Sequence, residues 1–370
     1  MKRNLLLIIG LIAILFPMNL SAQEAPKISG FVQGLYQMNF NDEFNLESNT
    51  LRMRRVRVSV DGNLTKTISY KIQGDLINSP MLVDAYVKYK PCKEFAIQIG
   101  QFKIPFTMEN PINPLNLEIF DYGESVQKLV GYNDVCGVGA LGRDIGIMAS
   151  GDLFQVKGKD FAIVNYSIGI FNGNGPVNFK KNEKGLDNNN RKDVVGRLNI
   201  HPMLKDLTLS GSYYYGNYFK DEVNNGTRNR WSAGVQYNDG GLVVRAEYLN
   251  GFTGHQVEAY DNGLPVLDEN GEQVYVEGLQ NSIGYYAVAG YNFKFGKENS
   301  QKLMPVLRYE HFEPGDFNGT VNGMTDYYTV GIDYWPVKSV NFKLDYSFIQ
   351  ETLGDKTNSH RIVGILSYKF

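Results

Sequence analysis

The chain reads as an all-β protein: a transmembrane antiparallel β-barrel of about sixteen strands, with one long loop folded into its lumen. Three observations predict this. Apolar and polar residues alternate over whole strand-length segments, and the polar face carries charges. Aromatic residues reach 13%, with 24 Tyr and 21 Phe, which suits girdles at two membrane interfaces. The alternation also fails over one long stretch, residues 103–143, which carries Pro105, Pro111 and Pro114 and cannot continue a strand ladder.

The N-terminus has the form of a secretory leader. Lys2 and Arg3 precede an apolar run from Leu5 to Phe16, and Ser21-Ala22 forms a small-residue end. Residues 1–22 are expected to be removed, leaving 23–370 as the barrel. No other segment is apolar enough to span as a helix, an absence that carries no weight for strands, which are apolar at every second residue only. A net charge of −2 gives no nucleic-acid footprint.

"RVRVSVDG" places Val56, Val58 and Val60 on one face and Arg55, Arg57 and Ser59 on the other. "TISYKIQGDL" sets Ile68, Tyr70, Ile72 and Leu76 against Lys71, Gln73 and Asp75. An arginine or lysine facing lipid at the midplane costs roughly 2–4 kcal/mol. The charged face must therefore look inward, around water. The same test turns Val83, Ala85, Val87 and Tyr89 outward and Asp84, Tyr86 and Lys88 inward. It places Arg197, Arg245, Glu247 and Arg308 on the inner wall, with Arg230, Glu310, Lys343 and Asp345. Residues 283–293 are apolar on both faces, so the test cannot orient them. Arg52 and Arg54 fall in phase with the outward valines and are expected at the lipid headgroups.

The expected connections sort by length. One end, with both termini, has short turns at 91–93, 201–205, 238–241 and 336–339. The other has long polar loops at 39–50, 103–143, 172–190, 216–229, 251–280 and 314–325. Short turns on the periplasmic side and long loops outside are the outer-membrane arrangement. Cys92 falls in a short turn and Cys136 in the long segment, so the two thiols are expected to stay free.

"IQIGQFKIPF" running into the long segment, "GRDIGI" at its end, "RRVRVSVDG" and the terminal "LSYKF" together resemble the phosphate-selective porin O and P family. The resemblance covers most of the mature chain. It implies a sixteen-stranded barrel, a homotrimer, and a loop after the fifth strand that narrows the lumen. Phe370, with Tyr368 and Leu366 on its face, is similar to the signal read by barrel-assembly machinery. One departure stands out. Family members selecting phosphate line the constriction with Arg and Lys. Here Lys103, Lys128 and Arg143 stand against Glu109, Glu118, Asp121, Glu124 and Asp134, a net acidic set. Both signs therefore line the expected pore.

Catalytic motifs are missing. "GVGALG" at 137–142 matches a dinucleotide-binding pattern in letters, but a barrel strand follows it where a helix is required. The four histidines have no nucleophile at a telling spacing, and the acids at 261–278 are too sparse for a calcium loop. No cofactor, metal or enzymatic activity is implied. The expected function is passive diffusion of small hydrophilic solutes, anions such as phosphate among them, across an outer membrane whose lipid meets the barrel wall. A selective oligosaccharide or polyphosphate channel and a non-conducting adhesin or receptor barrel are the alternatives.

Overall fold

The alternating segments form strands, and the strands form one closed sheet. The computed structural model describes residues 25–78, 81–137, 141–176, 190–219, 225–261, 264–316 and 322–370. The leader expected at 1–22 lies outside the described residues.

Five strands precede the long segment: β1 (Lys27–Asn41), β2 (Leu46–Asn63), β3 (Ile68–Asp75), β4 (Leu82–Tyr89) and β5 (Ala96–Lys103). After it come β6 (Arg143–Gln155), β7 (Ala162–Phe171), β8 (Asp193–Ile200), β9 (Leu207–Phe219), β10 (Asn225–Asn238) and β11 (Leu242–Glu258). Two short strands, β12 (Tyr260–Asp261) and β13 (Leu264–Pro265), pair only with each other. The wall resumes with β14 (Tyr275–Tyr291), β15 (Phe293–Phe295), β16 (Gln301–Glu313), β17 (Met324–Val337), β18 (Val340–Leu353) and β19 (Asp355–Lys369). Neighbours pair antiparallel, and β1 closes the ring by pairing with both β2 and β19. β14 and β15 flank Asn292 and both pair with β16, so they share one place in a sixteen-position wall.

The faces follow the alternation. Ile72, Ile99, Leu307, Ile332 and Leu344 are exposed on the outside, while Gln73, Arg245, Arg308 and Asp345 are buried inside. Rings run across the outside from strand to strand. Trp231, Tyr248, Tyr285, Tyr309, Tyr328, Phe348, His360 and Phe44 follow one another with centroids 3.8–6.5 Å apart. This belt lies toward the end opposite the termini, called here the loop end.

Two bulges break the expected phase. Gln33 pairs with Arg55 and Gly34 with Met53, leaving Arg54 as an extra residue. The extra residue flips the phase of everything before it. Arg52, opposite the buried Leu35, and Arg54, paired with Asp121, therefore turn inward. The expectation that they reach lipid headgroups is corrected. A second bulge skips Val83 between Gln73↔Asp84 and Gly74↔Leu82, so Val83 is fully buried and not outward.

The strand that could not be oriented has a simple explanation. Ser282, Gly284, Tyr286, Val288 and Gly290 face inward. The short helix α1 (Glu124–Val130) lies against that face. Val126, Leu129 and Val130 pack in one cluster with Leu249, Tyr286, Val288, Val306 and Phe312. The inner face is apolar because it holds a helix and not water. A seven-residue helix is far too short to stand alone. Each buried aliphatic side chain contributes roughly 1.5–3 kcal/mol toward holding it.

Three loop-end connections are shorter than expected, because alternation continues outward past the apolar band. β1 and β2 join across residues 42–45, while β9 runs on to Phe219 and β10 begins at Asn225. The 251–280 region is mostly strand.

Candidate functional site

The segment between β5 and β6, residues 104–142, is tied at its neck. Ile104 N–H donates to the Gly142 carbonyl at 3.1 Å. Asn110 Nδ2 donates to the Ile104 and Gly142 carbonyls at 2.9 and 3.1 Å, and its Oδ1 accepts from Tyr132 at 3.0 Å. Lys103 Nζ is turned into the same knot. It donates to the Asn110 and Ile112 carbonyls and to Tyr122 Oη at 2.5–2.8 Å. Gly142, at φ +65°, lies where a Cβ would collide with Asn110 Oδ1.

From the neck the segment crosses to the far wall, where ionic contacts fasten it. Glu109 Oε1 lies 2.5 Å from Arg308 Nη1 and 3.4 Å from Arg245 Nη2, and its Oε2 accepts the Gly123 N–H at 2.8 Å. Glu118 Oε2 receives Arg245 Nη2 at 2.6 Å. Asp134 takes Arg230 at two points, 2.6 and 2.7 Å. Wall acids in turn accept from the segment. Glu247 receives the Met108 N–H at 2.8 Å, Glu310 the Ser125 N–H at 3.0 Å, and Asp345 the Phe120 N–H at 2.7 Å. Arg197 donates to the Thr107 carbonyl at 2.9 Å, and Lys343 to that of Leu117. Arg230, Arg245 and Arg308 are all but sealed from solvent. A charge so enclosed is tolerable only with its partner in place.

The near wall differs. Between the segment and β2–β6 lies a cavity of about 240 Å³. Arg52, Arg54, Arg55, Arg57 and Arg143 line it, with Asp75, Asn78, Tyr122 and Tyr132. Asp121 pairs with Arg54 and with Arg55 at 3.2 Å, Asp75 with Arg57 at 3.0 Å, and Asp84 with Arg143 at 2.8 Å. The Phe120 ring is flanked by two guanidinium groups, Arg54 at 5.2 Å and Arg361 at 4.7 Å.

The segment's buried titratable groups respond to these neighbours. Burial resists ionisation of Glu118, Asp121 and Asp134. The guanidinium groups beside them overcome it and hold all three below the usual carboxylate range. Burial, then the Asp134 charge, pushes the Cys136 thiol up to about 12.

The residues singled out from sequence thus separate into groups. Arg55, Arg57, Asp75, Asp84, Asp121 and Arg143 meet around the cavity. Arg197, Arg245, Glu247, Arg308, Glu109 and Glu118 lie in the seam between segment and far wall. Lys103 is in the knot. Lys128 pairs with Glu124 at 3.5 Å, one helical turn away. Lys71 and Lys88 sit toward the terminal end, on the face shared by Ser69 and Gln73. The segment's net acidity therefore does not describe the surface beside the cavity, because its acids face arginines of the wall. Arg52, Arg54 and Arg361 are the residues sequence reading missed. The adjacent Arg54-Arg55 pair, basic in either phase, was the one available hint.

A family model described as "Phosphate-selective porin O and P" matches residues 27–370. The chain belongs to this family. It is an outer-membrane porin, integral to that membrane, through which hydrophilic solutes diffuse passively. Solved structures share the fold at low identity. The anion-selective porin from Comamonas acidovorans superposes with a TM-score of 0.62 at 12% identity, covering 94% of this porin and 99% of that chain. Salmonella typhi OmpF in complex with daunomycin also gives 0.62 at 12%, over 93% and 98%. The trimer form of Vibrio cholerae OmpT gives 0.56 at 12%, over 94% and 100%. Among curated proteins no match was found.

Proposed function

We propose that solutes pass between the segment and β2–β6, and that this passage prefers anions, phosphate among them. One observation carries the reading: of twelve residues lining the cavity, five are arginines and one is an aspartate. Guanidinium forks match the oxygens of phosphate and similar anions. Arg54, Arg55, Arg57 and Arg143 already share carboxylates, so each grips a passing anion weakly enough to release it, as conduction requires. The family's description and the anion-selective relative support the same preference.

Residues 104–142 act in this reading as the constriction, and the far-wall arginines as its anchors. Residues 1–22 serve as the export leader. The end carrying both termini faces the periplasm, and Phe370 addresses the barrel-assembly machinery. The porin works as a homotrimer, in keeping with the trimeric relative.

The test is Arg52→Glu with Arg55→Glu in planar bilayers under a salt gradient. The reversal potential is expected to move toward that of a cation-preferring pore. An unchanged reversal potential defeats the reading.

A further inference from the structure

Arg361 differs from the arginines of the cavity beside it. Arg54, Arg55, Arg57 and Arg143 each have a carboxylate in contact. Arg361 forms no ion pair with any described residue, and its Nε is buried without a hydrogen-bond partner. Two rings hold it instead. Its guanidinium carbon lies 4.7 Å from the Phe120 centroid and 5.7 Å from that of Tyr327. Carboxylates on the elements around it are engaged elsewhere, Asp345 with the Phe120 N–H and Glu310 with Arg308 and Ser125.

The rings are held in place. Phe120 packs on Leu35, Val363 and Ile365 of the β1–β19 wall, and its N–H is fixed by Asp345 at 2.7 Å. Arg361 and Tyr327 share the inner face with the buried Val363 and Thr329. All three members of the group keep part of their surface exposed. Arg361 stands opposite Asn39 of β1, whereas Arg52 stands opposite Leu35. The group therefore lies on the loop-end side of the cavity.

A half-buried guanidinium without a counter-charge is costly, and an anion relieves that cost. The rings decide which anion fits. They flank the guanidinium and donate no hydrogen bonds through their faces. An anion with oxygens on every side, such as phosphate, would lose water there without replacement. A carboxylate carries its oxygens on one edge, which a guanidinium fork meets at two points. A flat apolar remainder can then lie against the rings.

We infer that Arg361, Phe120 and Tyr327 bind the carboxylate of an organic acid with a flat apolar body. The site goes beyond the preference proposed for the cavity and rests only on the same lumen being the passage.

The probe is benzoate, the simplest such acid, added at the loop end of porin conducting potassium chloride in a planar bilayer. It is expected to block the current saturably, with a midpoint about tenfold below those of acetate and inorganic phosphate. Arg361→Lys keeps the charge and loses the flat fork. Phe120→Leu keeps an apolar contact with Leu35 and loses the ring. Each is expected to raise the benzoate midpoint about tenfold. Lys297→Gln, in the β15–β16 turn, leaves it unchanged. Should the two variants fail to fold, the wild-type order of block decides alone. Benzoate that blocks no better than acetate, or as well after Arg361→Lys, overturns the site. Stronger block by phosphate that Arg361→Lys removes overturns the assignment to organic acids. A wild-type reversal potential favouring potassium over chloride defeats the reading of the cavity and leaves the benzoate comparison intact. A porin that passes no current overturns both.

Discussion

Glu109 and Arg308 are 199 positions apart in the chain and meet at 2.5 Å inside the barrel. Glu109 also faces Arg245 and caps the Gly123 N–H, so one carboxylate ties two strands to the segment. Removing its charge leaves two buried guanidinium groups short of a partner. Glu109→Gln is expected to weaken the attachment by about 3–5 kcal/mol, the cost of breaking a buried ion pair. Limited proteolysis of folded porin should then cut within residues 104–142, where the wild type resists. A wild-type cleavage pattern would count against the anchoring role.

The acids of the segment set a pH window. Glu118, Asp121 and Asp134 are held below their ordinary values, so the unfolded segment binds protons more readily than the attached one. Their contribution is complete above the ordinary carboxylate range, near ~4. It is lost as pH falls through the depressed values. Protease resistance of the segment should stay flat from neutral pH to about 5 and decline below about 4. A decline between pH 6 and 7 would point to other groups.

The two thiols should react differently. Cys92 is exposed in the β4–β5 turn, while Cys136 is buried and pushed up to about 12. Reactivity follows the thiolate. At pH 8 a thiol reagent is expected to modify one cysteine in folded porin and two after denaturation. The raised value also carries a stability sign. This contribution is full below the ordinary thiol range near ~8.5, and falls as pH rises from there toward about 12.

The two tryptophans report opposite faces. Trp231 stands outward in the belt, 5.3 Å from Tyr248. Trp335 lies opposite Lys302, with the Lys302 and Lys369 ammonium groups 5.0 and 5.3 Å from its ring. Trp231→Phe should remove most quenching by lipid-attached bromine. Trp335→Phe should remove most quenching by iodide, which the two lysines attract. The reverse pattern would invert the barrel's faces.

The wall was legible because hydrocarbon imposes a severe test: Arg57, Lys71 and Arg245 each rule out one of two orientations for a whole strand. What escaped was anything depending on a single added residue. Arg52 and Arg54 keep perfect period with Val56, and nothing local announces the bulge that turns them inward. The site was legible only as an inventory of charges. Glu118 reads as an acid facing the pore until the fold brings Arg245 to it from 127 positions away. β14 resisted orientation for a related reason, since its inner face contacts a helix from elsewhere in the chain.

That inner face bears on any attempt to enlarge the channel. Deleting residues 104–142 would uncover Leu249, Tyr286, Val288, Val306 and Phe312 along one side of the bore. Water retreats from such a greasy stripe, and hydrophobic constrictions shut by drying out. A shortened variant would have a broader skeleton but a poorly wetted flank, and its conductance should rise less than its bare cross-section implies.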